Sequence, residues 1–208
     1  MNFQKQLFSL TAILAIASLS FKSPETTNPV STYKVDPNNS TIVWKGKKVT
    51  GEHTGTIDIS KGKINVDGKK ITGGEFEINM ETLANTDLTD PESNTKLVGH
   101  LKSDDFFGTD KHKSAKFVIK EATSIGNNKY DVKGDLTIKG KTNEISFPAT
   151  IVDKGNELEV NANIVVDRAK YDVKYGSGSF FDNLGDKMIY DDFELEVKLV
   201  AEKNLAAK

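Results

Sequence analysis

The chain has 208 residues, with 28 Lys and Arg against 30 Asp and Glu, a formal net charge of −2 and no cysteine. That composition excludes disulfides, thiolate catalysis, cysteine-ligated zinc and lipid attachment through a cysteine, and so balanced a charge supplies no basic field for nucleic acid or an anionic membrane surface. A chain of this length suits one domain with a sizeable hydrophobic core.

Met1 to Gln6 contains one lysine, Lys5, and is followed by the apolar run Leu7 to Phe21 and the polar stretch Lys22 to Thr27. A short basic start, an apolar core too short to span a bilayer comfortably, and the small residues Ser18 and Ser20 read as a secretory signal peptide over residues 1–20. The mature protein is then expected in a periplasm or outside the cell, with no integral membrane span after cleavage. Residues 21–31, which include Pro24 and Pro29, read as a flexible lead-in; residues 32–203 form the folded domain and 204–208 a tail.

Strands are expected at Thr32–Asp36 and Ser40–Val49, with the turn signal Asp36-Pro37-Asn38-Asn39 between them. Thr54–Ser60 and Lys63–Val66 read as two further strands separated by Lys61-Gly62, and an Asp67-Gly68 hairpin leads into Lys70–Met80. The alternation then breaks. Asp90-Pro91-Glu92 supplies a cap, a proline at the first helical position and an acidic first turn, so a helix is predicted over Pro91–Ser103. Its narrow apolar stripe of Leu97, Val98 and Leu101 can pack on a sheet while Lys96 and Lys102 stay wet. Strands resume at Lys116–Ile125, Lys129–Lys139, Asn143–Asp153, Glu157–Arg168 and Tyr190–Ala201, and a Gly/Ser loop, Tyr175–Gly185, precedes the last. In Glu157–Val166 the side chains of Leu158, Val160, Ala162, Ile164 and Val166 share one face, as a half-buried strand requires. Many such strands with a single helix imply an all-β fold in which the dry faces meet inside a closed antiparallel barrel. A barrel of about eight strands either fills its interior with side chains or holds one small ligand there.

Catalytic chemistry is hard to place. His53, His100 and His112 lie far apart and lack the paired spacing of metal ligands, so no metal is expected. Gly134–Thr142 ends like a phosphate loop, but its glycines are wrongly spaced and the intervening residues alternate as a strand. Gly176-Ser177-Gly178-Ser179 is not a nucleophile elbow, and no carboxylate pair stands out. The sequence thus points away from an enzyme.

Aromatic side chains are plentiful: Trp44, Phe76, Phe106, Phe107, Phe117, Phe147, Phe180, Phe181 and Phe193. They either fill the barrel or frame a cavity. Ala149 and Ala162, at apolar strand positions, leave room opposite bulkier partners, and the doublets Phe106-Phe107 and Phe180-Phe181 lie at loop edges where they can frame a mouth. Burying roughly 400 Å² of an apolar tail would be worth roughly 10 kcal/mol before ordering costs. Arg168, at a strand end, can meet an anionic head group or pair with a nearby carboxylate.

Tyr33-Lys34-Val35-Asp36, Gly99-His100-Leu101-Lys102-Ser103-Asp104-Asp105-Phe106-Phe107, Val132 to Thr142, and Asp167-Arg168 with a Gly/Ser-Phe-Phe loop after it resemble the YceI-like family of bacterial exported proteins. The resemblance covers about Tyr33 to Ala201. The chain departs from the family's pattern at Lys113-Ser114, where Tyr-Pro is usual, and at Tyr171-Asp172, where Trp-Gly is common. The resemblance implies an extended lipocalin-like barrel of eight antiparallel strands with one packed helix, no catalysis and no cofactor beyond a bound isoprenoid lipid. It implies a tunnel for a polyprenyl or quinone tail, lined by the aromatic residues named above together with Ile78, Leu136, Ile138, Ala149, Ala162 and Ile164. His100 and Arg168 are then the candidates for the head group. The alternative is an exported structural or interaction protein with a filled barrel. Oligomeric state is open, a homodimer included.

Overall fold

The computed structural model describes residues 30–204, so the signal peptide expected over residues 1–20 and nearly all of the expected lead-in and tail lie outside the described residues. The described residues form nine strands: β1 (Ser31–Val35), β2 (Thr41–Lys48), β3 (Gly51–Asp67), β4 (Lys70–Asn85), β5 (Ser114–Gly126), β6 (Lys129–Ile138), β7 (Lys141–Asp153), β8 (Glu157–Asp167) and β9 (Ile189–Lys203). The one α-helix among the described residues, α1 (Pro91–Lys102), lies between β4 and β5. Every pairing within the barrel is antiparallel, from β2 through β3 and onward to β9, and β9 returns to β2.

The nine strands fill eight positions. β1 and β2 both pair with β3 and with β9, β1 near Ile64 and Ala201 and β2 near Ile57 and Val197, so together they form one strand position interrupted at Asp36–Ser40. Asp36 accepts a hydrogen bond from the Asn38 backbone N–H at 2.9 Å and Asn39 Nδ2 at 2.7 Å, which lets the chain jog outward and resume. The structure is the closed eight-stranded antiparallel barrel with a single α-helix.

Two boundaries differ from the sequence reading for the same reason. Thr54–Ser60 and Lys63–Val66 are one strand, β3, because a β-bulge between Ile59 and Lys61 shifts the inward phase from Ile57 and Ile59 to Gly62, Ile64 and Val66. A bulge adds one residue and reverses the alternation, which reads in sequence as a break. β4 likewise continues past Met80 to Asn85: the register slips from Asp58↔Asn79 to Thr56↔Ala84, and Leu83 resumes the buried face. At the far end of the barrel Asn127 and Asn128 both take positive φ, as the tight turn between β5 and β6 needs.

α1 begins at Pro91, with Asp90 accepting from the Ser93 backbone N–H at 2.8 Å, and ends at Ser103, whose backbone N–H donates to Gly99 and His100. Asn94 Nδ2 bonds the backbone oxygens of Asn85 and Leu88, and Lys102 Nζ bonds that of Glu81 at 2.7 Å. These bonds lash the helix across one end of the barrel.

Candidate ligand cavity

The interior is not filled. An apolar cavity of about 540 Å³ runs along the barrel, within the range of small-molecule sites. Its inward-facing aliphatic wall is set by strand period: Phe193, Leu195, Val197 and Leu199 line it from β9, and Ile164, Ala162 and Val160 from β8. Polar lining groups gather at the end where β2 meets β3 and where α1 and the loop before β9 lie: Lys47, Lys48, His53, His100, Arg168, Asp186 and Lys187. This end is the mouth, and Leu97 and Leu101 of α1 form part of its apolar rim.

Midway down, Phe117 links two other rings, with Phe76 at 6.3 Å and nearly parallel and Phe147 at 5.4 Å and tilted. Three aromatic rings lie over glycines. A side chain on Gly55 would meet the Trp44 indole, one on Gly62 the Phe76 ring, and one on Gly134 the Phe117 ring. The missing side chains let large rings lie against the sheet and leave the centre of the barrel open. Trp44 Nε1 is satisfied within this wall, donating to the Ala84 carbonyl at 3.0 Å.

Nearer the mouth, Phe106 stands between the two candidate head-group residues. The His100 ring packs edge-on against Phe106 at 4.9 Å and Tyr175 at 4.4 Å, and the Arg168 guanidinium lies 5.7 Å from the Phe106 centroid. Phe107 meets Phe193 edge-on at 6.3 Å. Arg168 is only 3% exposed, and its donors reach backbone oxygens: Nε to Tyr190 at 3.1 Å, Nη1 to Val173 at 2.8 Å and Nη2 to Ile189 at 3.0 Å. Asp191 Oδ1 lies 3.5 Å from Nη2. The geometry is therefore that of a clasp holding the loop before β9 onto the end of β8, with the carboxylate pairing present and three donors already committed to carbonyls.

His53 Nδ1 lies 2.9 Å from Asp87 Oδ2, and the Thr54 backbone N–H donates to Asp87 Oδ1 at 2.9 Å. Burial resists ionisation of Asp87, yet the hydrogen bonds from His53, Thr54 and Asn85 outweigh it and hold the carboxyl below its ordinary pKa. Among the described residues no group of three or more His, Cys, Asp or Glu side chains is placed to hold a metal ion, and none of the helices is long and apolar enough to cross a membrane.

Trp44, Phe76, Ile78, Phe106, Phe107, Phe117, Leu136, Ile138, Phe147, Ala149, Ala162, Ile164 and Phe193 all line the cavity, as do His100 and Arg168. Phe180 and Phe181 do not. Their backbone N–H groups both donate to Ser177, at 3.2 and 3.0 Å, in a turn that faces the doublet outward; the side chains are 45% and 50% exposed, and Phe180 lies beside Lys174 Nζ. Tyr175 and Ile189 line the cavity where the Phe180-Phe181 doublet was expected to frame its mouth. Sequence reasoning missed Gly55, Gly62 and Gly134, whose role appears only once strand register places a ring over each. It also missed the β3 and β4 contributions from Ile57, Ile59 and Leu83.

Tyr171, behind the clasp, carries a buried hydroxyl with no hydrogen-bond partner. Burial first, then the charge of Asp167, pushes its pKa up to about 12 from an ordinary 10.0. The folded state thus favours the neutral phenol: this contribution is complete below pH ~10 and is lost as pH rises toward the folded-state value. Tyr171→Phe is expected to raise stability near neutrality by ~1 kcal/mol, by removing an unsatisfied buried group. It should also lessen the alkaline loss by up to ~2 kcal/mol. Urea unfolding of both proteins at pH ~8 and ~11 checks this; an equal loss in the two would refute it.

Comparison with known proteins gives the same architecture. The family model described as the YceI-like domain matches residues 33–201. A UPF0312 protein of Shewanella denitrificans is 33% identical over 96 residues, 46% of this chain and 48% of that protein. One from Staphylococcus epidermidis is 40% identical over 83 residues, 36% of this chain and 46% of that protein. The matched region spans about half the length of these curated relatives. Among solved structures, Burkholderia cenocepacia BcnA superposes with a TM-score of 0.65 at 24% identity, covering 80% of this chain and 98% of BcnA. A polyisoprenoid binding domain from Saccharophagus degradans gives 0.59 at 14% identity, covering 82% and 98%. At these identities the two structures establish a shared fold.

Proposed function

The chain belongs to the YceI-like family, and from that premise we propose that it is an exported, non-catalytic binding protein that carries an isoprenoid lipid, a polyprenyl or quinone tail, inside its barrel. The observation that carries this reading is the cavity of about 540 Å³, lined along its length by aliphatic and aromatic side chains with charged groups confined to one end. An apolar chain with a small polar head matches that distribution, because the tail gains from leaving water while the head stays near the mouth. The Saccharophagus degradans neighbour, described as binding polyisoprenoid, adds support by analogy of fold. A filled barrel acting through its surface loses its premise, since the interior is open. The signal-like first 20 residues support export to a periplasm or beyond.

The test is to express the full precursor, purify the mature protein without added detergent, and compare native with denaturing mass spectra. A stoichiometric adduct released as a prenyl lipid is expected. Phe147→Glu places a charge in the cavity wall and should abolish that adduct, because an unpaired buried charge costs several kcal/mol or draws in water. Glu159→Gln, on the outer face of β8, should retain it. Equal retention in both variants, or a wild-type protein that stays unliganded after incubation with prenyl lipids, would overturn the reading.

A further inference from the structure

We propose that the closed end of the barrel, built around Tyr33 and Leu158, is a ruler that sets the longest apolar tail the cavity accepts; the inference rests on the lipid-binding reading above. The cavity lining stops short of the strand end on β3, β8 and β9. On β8 the inward series Ile164, Ala162 and Val160 lines it, while Leu158, next in the same phase, is 2% exposed and does not. On β9 the series ends at Leu199 and passes to the fully buried Ala201. On β3 it ends at Ile64 and passes to Val66, 6% exposed. A strand places every second side chain on the inner face, so these residues form the next layer of the same stack.

Tyr33 closes the same end of the barrel. β1 sets it opposite Ile64, with its ring 3% exposed, and its hydroxyl reaches across β9 to donate to the Gly155 carbonyl in the β7–β8 turn at 3.0 Å. Lys203 Nζ lies 5.9 Å from the same ring on the β9 side. In that layer Ala201 is small, so the bulk comes from Leu158, Val66 and Val35, which β1 sets opposite Ala201, with the Tyr33 ring two residues further along β1. From Ile189 at the mouth to Leu199 the lined stretch of β9 advances ten residues, roughly 33 Å along the strand. A tail longer than the space above the floor must fold back or leave its end in water, and it loses the gain from burial for each excluded unit.

The experiment is a competition ladder of farnesol, geranylgeraniol, hexaprenol and solanesol, with the retained alcohol read by native mass spectrometry. For the wild type, occupancy is expected to fall at least about tenfold beyond one rung. Tyr33→Ala and Leu158→Ala should move that cut-off to longer alcohols. Tyr33→Phe keeps the ring and should leave it in place. Ala162→Phe, which narrows the cavity beside Ala149 on the neighbouring strand β7, should move it to shorter ones and does not depend on the floor variants folding. A cut-off unmoved in Ala162→Phe and in every floor variant that folds, or no cut-off in a wild type that binds all four, would overturn the ruler. A wild type that retains none of the alcohols would overturn the lipid reading instead.

Discussion

Gly55→Ala is expected to destabilise the protein by more than ~4 kcal/mol, enough to leave much of it unfolded given that domains are stable by only about 5–15 kcal/mol. A β-carbon at this position would stand 1.9 Å from the Ala84 carbonyl oxygen and 2.6 Å from the Trp44 ring, where carbon contacts normally settle near 3.5–4.0 Å. Neither neighbour has a free direction to move. Displacing the carbonyl breaks its 3.0 Å bond from Trp44 Nε1 and separates Ala84 from Thr56; displacing the indole drives it into the cavity. The usual cost of overpacking, about 1–3 kcal/mol, assumes side chains that can yield, so this site should exceed it. Gly99→Ala, in α1 with nothing within 4 Å of the added carbon, is the control and should stabilise by roughly 0.5–1 kcal/mol. Urea midpoints for the two variants decide the matter. A Gly55→Ala protein that unfolds at the wild-type midpoint would show that the ring-over-glycine wall yields easily.

Arg168→Ala should cost ~3–5 kcal/mol and loosen the mouth before the barrel opens. Truncation strands the Tyr190, Val173 and Ile189 carbonyls and leaves the half-buried Asp191 without its cation. The abandoned Val173 acceptor is buried and costs about 1–3 kcal/mol unless water reaches it, the part-buried Tyr190 and Ile189 acceptors cost less, and water reaches the Val173 carbonyl only if the loop lifts away. Protease cleavage between Val173 and Ile189 should therefore precede global unfolding in the variant, as local opening allows. Arg168→Lys should rescue little, because an ammonium on a single stem cannot reproduce a planar fork that serves three carbonyls at once. With Phe106 and Tyr175 no longer held around His100, retention of any cavity ligand should fall as well. Identical proteolysis patterns and midpoints for Arg168→Ala and wild type would contradict the clasp.

The two variants probe features of unequal legibility. Arg168 stood out in sequence by its place at a strand end, and pairing with a carboxylate was one of the two roles open to it. Its three carbonyl partners come from a loop whose path no local pattern announces. The alternation through β6, β7 and β8 marked their inward faces directly, because Leu136, Ile138, Phe147, Ala149, Ala162 and Ile164 sit on strands without internal bulges between them. β3 and β4 are bulged, so their inner faces change phase midway and Ile57, Ile59 and Leu83 escaped notice. Aromatic doublets misled in one case out of two. Phe106-Phe107 follows a capped helix that points it into the barrel, whereas Phe180-Phe181 sits in a turn around Ser177 that points it out. Composition is the same in both, and only the preceding backbone distinguishes them.

The seam between β2 and β9 joins opposite ends of the chain: Ser40 Oγ accepts from the Val200 backbone N–H at 3.1 Å, 160 residues away. Until the 15 residues of β9 arrive, β2 and β8 each present a raw edge and the interior is an open trough. Contacts of such sequence separation form late and slowly, and unpaired edges invite pairing with other chains. A ribosome-bound or truncated chain ending before Ile189 can therefore neither seal against its neighbours nor enclose the cavity. The final strand delivers protection from aggregation and a ligand chamber in a single docking event.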